Sequence, residues 1–191
     1  MIEKVILLEQ PTIIELDIKK IMKVNMLLTI ILIPLFILIY ILLYKGFSLS
    51  FHFWSLLWNV LLFFIGYLLL IVLHEAFHLI GFMLFGKAKY HDLNYGLNLE
   101  LGIAYATTAQ PLKNRAMKKA LLLPFWMTGV LPILIGFYIN SIMLIILGAI
   151  LIAGAVGDFY MYKELRKFSN EALIEDDPEL PKLYVYEEKE C

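Results

Sequence analysis

The sequence predicts an all-α polytopic membrane protein with about four transmembrane helices and a small cytoplasmic β-hairpin between the second and third helices. Hydrophobic residues make up 61% of the 191 residues and charged residues only 17%. Soluble domains are closer to half apolar and a quarter charged. The apolar residues are also concentrated in four blocks, which is the pattern of a chain that crosses a bilayer several times.

The four blocks define the predicted helices. The second block is 33 residues long and would reach about 50 Å at ~1.5 Å per residue. It must therefore tilt, bend near Gly66 or Gly81, or project from the membrane. The predicted helices cover residues 26–44, 54–86, 120–138 and 141–162. The chain then divides into an N-terminal segment, a membrane domain and a tail, covering residues 1–25, 26–162 and 163–191.

The loop over residues 87–119 has a different pattern. Apolar residues occupy every odd position from Leu93 to Tyr105, and the even positions are mostly polar or small. A period of two indicates β-strand, and the length favours a hairpin that turns near Gly96 or Gly102.

The distribution of charge predicts the topology. With four crossings, one face receives the N-terminal segment, the loop and the tail, which hold four, six and five lysines and arginines. The opposite face receives only Lys45. The positive-inside rule then places both termini and the loop in the cytoplasm of what we interpret as a bacterial plasma membrane.

Other features exclude several classes of function. The net charge of −1 leaves no basic surface for a nucleic acid, so the expected partners are the lipid bilayer and a polypeptide. The one cysteine, Cys191, cannot form an intramolecular disulfide or a thiolate zinc site. No cleavable signal peptide is expected, because the first apolar block follows a charged stretch and no small-residue cleavage pattern comes after it.

The second apolar block contains the pattern His74-Glu75-Ala76-Phe77-His78. On a helix, His74 and His78 share one face, so both imidazoles can bind one metal ion. A glutamate placed as Glu75 is placed can act as the general base that activates water in a zinc peptidase. Ionisable residues inside a spanning helix are costly, and they are usually functional. The pattern therefore predicts a catalytic Zn²⁺ site.

A catalytic zinc ion needs a third protein ligand. Asp158 is the strongest candidate because it is the one acidic residue in the fourth block and lies at a membrane depth similar to that of His78. Gly154 and Gly157 are expected to let its helix approach the motif helix closely. Glu164 and His91 are weaker alternatives, and His52 is interpreted as an ordinary loop residue.

These residues carry a resemblance to a known family. The chain resembles the zincin membrane peptidases, which are related to the site-2 intramembrane metalloproteases. The similar stretches run from about Leu73 to Tyr186 and include the histidine motif and Gly157-Asp158-Phe159-Tyr160. The resemblance implies that His74, His78 and Asp158 are the zinc ligands and that Glu75 is the catalytic base.

The sequence therefore predicts an integral-membrane zinc metallopeptidase that cleaves a membrane-embedded or membrane-adjacent polypeptide. The principal alternative is a non-catalytic zinc-binding scaffold or regulator that retains the site, although metal binding alone does not require Glu75. A metal transporter is a third interpretation, but the third block offers only Trp126 and Thr128 as polar residues for a path. The alternating segment Leu93–Tyr105 is expected to hold the substrate as an added strand.

Overall fold

The computed structural model describes residues 10–44, 52–98, 103–178 and 180–187. The chain forms two compact units. The first contains Met1–Ile18, Glu75–Leu123 and Gly157–Cys191, and the second contains Lys19–His74 and Pro124–Val156. Each unit is thus built from segments that are distant in the sequence.

Four helices in the described residues are long and apolar enough to cross a membrane. They cover Ile18–Tyr44, Phe53–Gly86, Asn114–Tyr138 and Ile142–Leu165. The fold is therefore mostly helical, as predicted, with small antiparallel sheets besides.

The first two helices are continuous and extend through the apolar blocks. Helix α1 (Ile18–Tyr44) begins before the predicted start at residue 26, because lysine is a good helix former and its long side chain can reach polar surroundings. Helix α2 (Phe53–Gly86) ends where Lys87 adopts a left-handed conformation with φ 58°. Most large apolar side chains of both helices are exposed.

The third long helix is composite. It consists of α3 (Asn114–Pro124), a π-helical segment (Phe125–Val130) and α4 (Leu131–Tyr138). It begins before the predicted start at residue 120, since the basic stretch forms an amphipathic first turn with Ala116 and Met117 buried. Segments of π-helix are rare and frequently occur at functional sites.

In the second unit, α4 packs against α5 (Ile142–Gly154) through glycines. A Cβ added at Gly136 would lie 3.0 Å from the backbone nitrogen of Ile145, and one at Gly148 would lie 2.7 Å from the carbonyl oxygen of Gly129. Backbones that approach this closely exclude any larger side chain at these positions.

The first unit contains a four-stranded antiparallel sheet that the sequence patterns did not predict. Its order is β1–β6–β5–β4. The strands are β1 (Thr12–Glu15), β4 (Leu112–Lys113), β5 (Leu173–Asp176) and β6 (Lys182–Tyr186). The sheet therefore joins the N-terminal segment, the loop between the second and third long helices, and the tail.

The predicted hairpin is present as β2 (Leu93–Asn98) and β3 (Ile103–Thr108), although one predicted turn position is wrong. Gly96 lies inside β2 and pairs with Tyr105. A Cβ at Gly96 would lie 2.7 Å from the Tyr105 hydroxyl oxygen, so glycine makes room there for the tyrosine side chain. The other predicted turn position, Gly102, lies outside the described residues.

The core of the first unit lies between its sheet and the helix segments of the same unit. The buried side chains include Phe82, Leu112, Met117, Leu165, Ile174 and Leu183. Asn114 is fully buried, and its amide nitrogen donates to the carbonyls of Leu165, Phe168 and Ser169 at 2.9, 3.1 and 2.8 Å. This asparagine ties the start of α3 to the end of α6 (Val156–Leu165), the helix that carries Asp158.

Close helix approach in the first unit occurs at Gly81. A Cβ there would lie 2.7 Å from Cα and 2.9 Å from Cβ of Ala120, so α2 and α3 are in backbone contact at this point. The predicted role of Gly154 is wrong, because nothing lies within 4 Å of a Cβ built on it. A glycine in the sequence allows close packing, but the sequence does not show whether another helix lies next to it.

Candidate metal centre

His74 and His78 lie on consecutive turns of α2. The boundary between the two units falls between His74 and Glu75, inside this unbroken helix, so helical geometry alone sets the spacing of the two imidazoles. His78 is buried and His74 is half-buried. A histidine pair at this spacing presents two nitrogen ligands on one helix face.

Asp158 lies in the first turn of α6. Its carboxylate oxygen Oδ1 is 3.4 Å from Nε2 of His78, and the two side chains are only 19% and 8% exposed. The carboxylate thus faces the imidazole of the motif histidine rather than solvent.

Together these residues form a group that could hold a metal ion. One ligand atom each from His74, His78 and Asp158 lies within 4.8 Å of the other two. Ligands held tetrahedrally at ~2.0–2.1 Å from zinc are about 3.3–3.4 Å apart, and the 3.4 Å between His78 and Asp158 matches this separation. Two imidazoles and one carboxylate are also a donor set found in catalytic zinc sites, so the residues present fit zinc.

Neighbouring groups orient both imidazoles through their second nitrogen. Nδ1 of His78 is 3.3 Å from the carbonyl oxygen of Ala120, and Nδ1 of His74 is 3.1 Å from Oγ1 of Thr128. A carbonyl only accepts, so Nδ1 of His78 carries a proton, and the neutral imidazole with this proton has its lone pair on Nε2. Metal-binding histidines typically make such a contact through the nitrogen that does not bind the metal.

Glu75 is half-buried on α2, next to His74 in the sequence, and it is close enough to His78 to interact with it electrostatically. The sequence places this carboxylate beside the ligand group without making it one of the three ligands. This is the arrangement expected of a general base rather than of a metal ligand.

The weaker ligand candidates lie elsewhere. Glu164 forms an ion pair with Lys167, three residues further along the chain. His91 is 72% exposed and lies 3.3 Å from Asp92. His52 is exposed just before α2. Within the part of the chain that the structure describes, none of these three residues joins the metal-binding group.

Comparison with known families agrees with this geometry. A family model described as "putative zincin peptidase" matches residues 67–173, which is more than half of the chain. The chain belongs to this zincin peptidase family. The matched range includes all three residues of the metal-binding group, Glu75 and the π-helical segment of this family member. No curated protein and no solved structure matches the chain significantly.

This family member also has a half-buried carboxyl group that sequence analysis did not single out. The pKa of Asp176, on β5, is raised from 3.8 to about 8, chiefly by burial and to a smaller extent by repulsion from Asp177. Attraction to His78 and a hydrogen bond from the backbone of Thr108 act to lower this pKa. Asp176 is therefore held as a neutral acid near the metal-binding group in the metal-free protein.

The raised pKa of Asp176 predicts a pH-dependent effect of its substitution. The folded-state pKa lies above the ordinary value, so the stability that the protonated group contributes is complete below about pH 4 and is lost as pH rises through about 8. In chelator-treated protein, Asp176→Asn should raise the thermal midpoint by several degrees at about pH 9, and this gain should shrink at about pH 5.

Glu171 is the matched control for this experiment. A hydrogen bond from Lys113 lowers the pKa of Glu171, so Glu171→Gln should raise the midpoint at neither pH. An Asp176→Asn protein that unfolds at a lower temperature than the wild type at both pH values would show that the carboxylate is ionised and stabilising.

Proposed function

We propose that this protein is an integral-membrane zinc metallopeptidase that hydrolyses peptide bonds of a membrane-embedded or membrane-adjacent polypeptide. The observation that carries the proposal is the convergence of His74, His78 and Asp158 around one position, with Glu75 on the same helix. Membership of the zincin peptidase family supports it. A scaffold that only binds zinc would need the three ligands but not the glutamate.

The residues have distinct roles in the proposed reaction. His74, His78 and Asp158 hold the zinc ion, which when bound polarises the scissile carbonyl and makes water more acidic. Glu75 takes a proton from the attacking water and later transfers it to the leaving amine. Ala120 keeps the Nδ1 proton of His78 in place through its carbonyl, so that Nε2 remains a ligand.

The four-stranded sheet supports the proposed topology. Strands from the N-terminal segment, the loop and the tail pair with one another, so these three segments must lie on the same side of a membrane. Four crossings by the four long helices satisfy this condition, and the excess of lysine and arginine in the same segments favours the cytoplasmic side. The proposed site would then open near the cytoplasmic face of the cell membrane.

Glu75→Gln tests the proposed reaction. The substitution keeps the size and polarity of the side chain and removes its ability to accept a proton at neutral pH, so zinc should be retained and cleavage should fall by at least about 100-fold. The measurement is the appearance of new N-termini in a panel of co-expressed single-span membrane proteins, together with zinc content. Glu164→Gln, which alters an acid outside the metal-binding group, is the control and should cleave normally. Equal cleavage by wild type and Glu75→Gln would reject the peptidase mechanism.

We also propose that strand β2 holds the substrate in extended form. Tyr95 and Leu97 are 70% and 71% exposed, and in the described residues β2 pairs only with β3. A substrate helix must unwind to be cut, and its exposed amides cost several kcal/mol each if they are left unpaired in hydrocarbon. A strand edge can pair with them by β-augmentation.

Proline substitution tests this use of β2. Backbone N–H groups point alternately towards and away from the partner strand, so one of the variants Leu97→Pro and Asn98→Pro removes an outward-facing donor. That variant should lose cleavage while retaining zinc and membrane insertion. Leu97→Ala separates the backbone from the side chain, since it keeps the donor and should retain cleavage. Normal cleavage by both proline variants would exclude β2 as the substrate platform.

A further inference from the structure

Thr128 is a buried hydroxyl in the middle of an apolar helix. It lies in the π-helical segment and is 1% exposed. A hydroxyl in such a place is costly unless it is hydrogen-bonded. Its oxygen Oγ1 has two polar contacts, at 2.8 Å to the carbonyl oxygen of Pro124 and at 3.1 Å to Nδ1 of His74.

The protons available to these two contacts determine the tautomer of His74. The carbonyl of Pro124 has no proton, so the 2.8 Å contact must use the hydroxyl proton of Thr128. That hydroxyl has no second proton to donate. The 3.1 Å contact must therefore use a proton on Nδ1 of His74, which in the neutral imidazole leaves the lone pair on Nε2.

The backbone around Thr128 is held firmly. The next residue, Gly129, is buried, and a Cβ on it would lie 2.8 Å from Cγ1 of Ile152 on α5. Its carbonyl oxygen in turn would lie 2.7 Å from a Cβ on Gly148. The π-helical segment thus packs closely against α5, and the Thr128 hydroxyl is bonded to the Pro124 carbonyl of the preceding turn.

We propose that Thr128 is a positioning residue of the metal centre, which holds His74 as its Nδ1–H tautomer and directs Nε2 towards the metal ion. The proposal rests on the proposed zinc site. Thr128 is not one of the three residues of the metal-binding group, and it acts through His74. The Pro124 carbonyl is part of the arrangement, because it takes up the hydroxyl proton and leaves an oxygen lone pair to accept from the imidazole.

The hydrogen bond from Thr128 to the carbonyl of Pro124 does not by itself show a role at the metal centre, because threonines in ordinary helices donate to the carbonyl four residues earlier. The two roles predict different effects on zinc affinity. If Thr128 served only the helix, its loss would change the stability of the metal-free protein and leave zinc affinity unaltered. If it positions His74, its loss should weaken zinc binding by about 10- to 100-fold, the usual effect of removing the partner of a metal-binding histidine.

Zinc affinity of three purified proteins tests the proposal. The affinity is measured by competition for zinc between the protein and a chromophoric chelator. Thermal unfolding with excess chelator gives the stability of each metal-free protein. Thr128→Val keeps the shape and removes the hydroxyl, and it should bind zinc about 10- to 100-fold more weakly than the wild type. Thr128→Ser restores the hydroxyl and should bind zinc within a few-fold of the wild type. Wild-type affinity in Thr128→Val would overturn the proposal.

A second measurement requires no substitution of Thr128. Nitrogen NMR of chelator-treated wild-type protein labelled with [¹⁵N]histidine distinguishes the two neutral tautomers, and the chain has only four histidines. His74, identified from the signal missing in His74→Gln, should carry its proton on Nδ1. A proton on Nε2 would overturn the proposal. A wild-type protein that shows the Nδ1–H tautomer and binds no zinc would instead refute the proposed zinc site and leave the Thr128 contact standing.

Discussion

Replacing Gly81 with alanine is expected to weaken zinc binding by at least about 10-fold and to destabilise the first unit by about 1–3 kcal/mol, although Gly81 is not one of the candidate ligands. The added Cβ would lie 2.7 Å from Cα of Ala120. That atom belongs to the backbone and cannot rotate away, so α2 and α3 must separate. The carbonyl of Ala120 would then move away from Nδ1 of His78, which it now meets at 3.3 Å.

Gly154→Ala is the matched control for this experiment. Gly154 is also a glycine near the end of a long helix, but nothing lies within 4 Å of a Cβ built on it. Zinc affinity should be unchanged in this variant, and stability should stay equal or rise by up to about 1 kcal/mol, since alanine is the better helix former. Equal zinc affinity in Gly81→Ala and Gly154→Ala would show that the contact between Gly81 and Ala120 does not position His78.

Asp158→Ala is the second substitution with a large expected effect. It removes one of three ligands and leaves the buried His78 without the carboxylate that lies 3.4 Å from its Nε2. We expect zinc content to fall well below one ion per chain and zinc affinity to fall by more than about 100-fold, because a ligand should count for more than its hydrogen-bonding partner. The protein should still insert, since the apolar helices are unaltered. Zinc content is measured on protein purified without added chelator.

The chain provides a matched control in a second histidine–aspartate pair. His91 and Asp92 lie 3.3 Å apart at the surface, where the histidine is 72% exposed. Asp92→Ala should leave zinc content at the wild-type value. Full zinc occupancy in Asp158→Ala would mean that the third ligand is another residue, and loss of zinc in Asp92→Ala would point to the surface pair.

The features predicted correctly depend on local sequence. Hydropathy over about 20 residues identifies a spanning helix, so the four apolar helices follow from composition alone. The spacing of four residues between His74 and His78 places them on one helix face. The candidate ligand Asp158 could be singled out because an acidic residue in an apolar block is costly.

The features that were missed depend on contacts between distant segments. Strands β1 and β6 are separated by almost the whole chain, and β1 has only four residues, too few to show a pattern. Thr128 carries no signal of its own, since a threonine bonded to the preceding turn is common in helices. The role proposed for Thr128 depends on its contact with His74, which is 54 residues away in the sequence.

The wrong predictions concern two glycines and the starts of two helices, and each has a physical cause. Glycine marks both a turn and a place where another group comes close, and Gly96 is of the second kind because the side chain of Tyr105 lies across it. Gly154 was expected to face the motif helix, but a small residue favours close packing only if a neighbouring helix is present on its side. The extra turns of α1 and α3 arise because lysine and arginine are good helix formers at the end of an apolar segment.

The most direct test of the zinc peptidase site is zinc content combined with X-ray absorption at the zinc edge on the purified protein. We expect one zinc ion per chain, with two imidazole nitrogens at ~2.0–2.1 Å and one carboxylate oxygen at ~2.0–2.2 Å. His74→Ala and His78→Ala should each lose one imidazole from this shell together with most of the zinc. Protein that contains no zinc after purification and binds none when zinc is added would contradict the account, as would a zinc shell that both histidine variants leave unchanged.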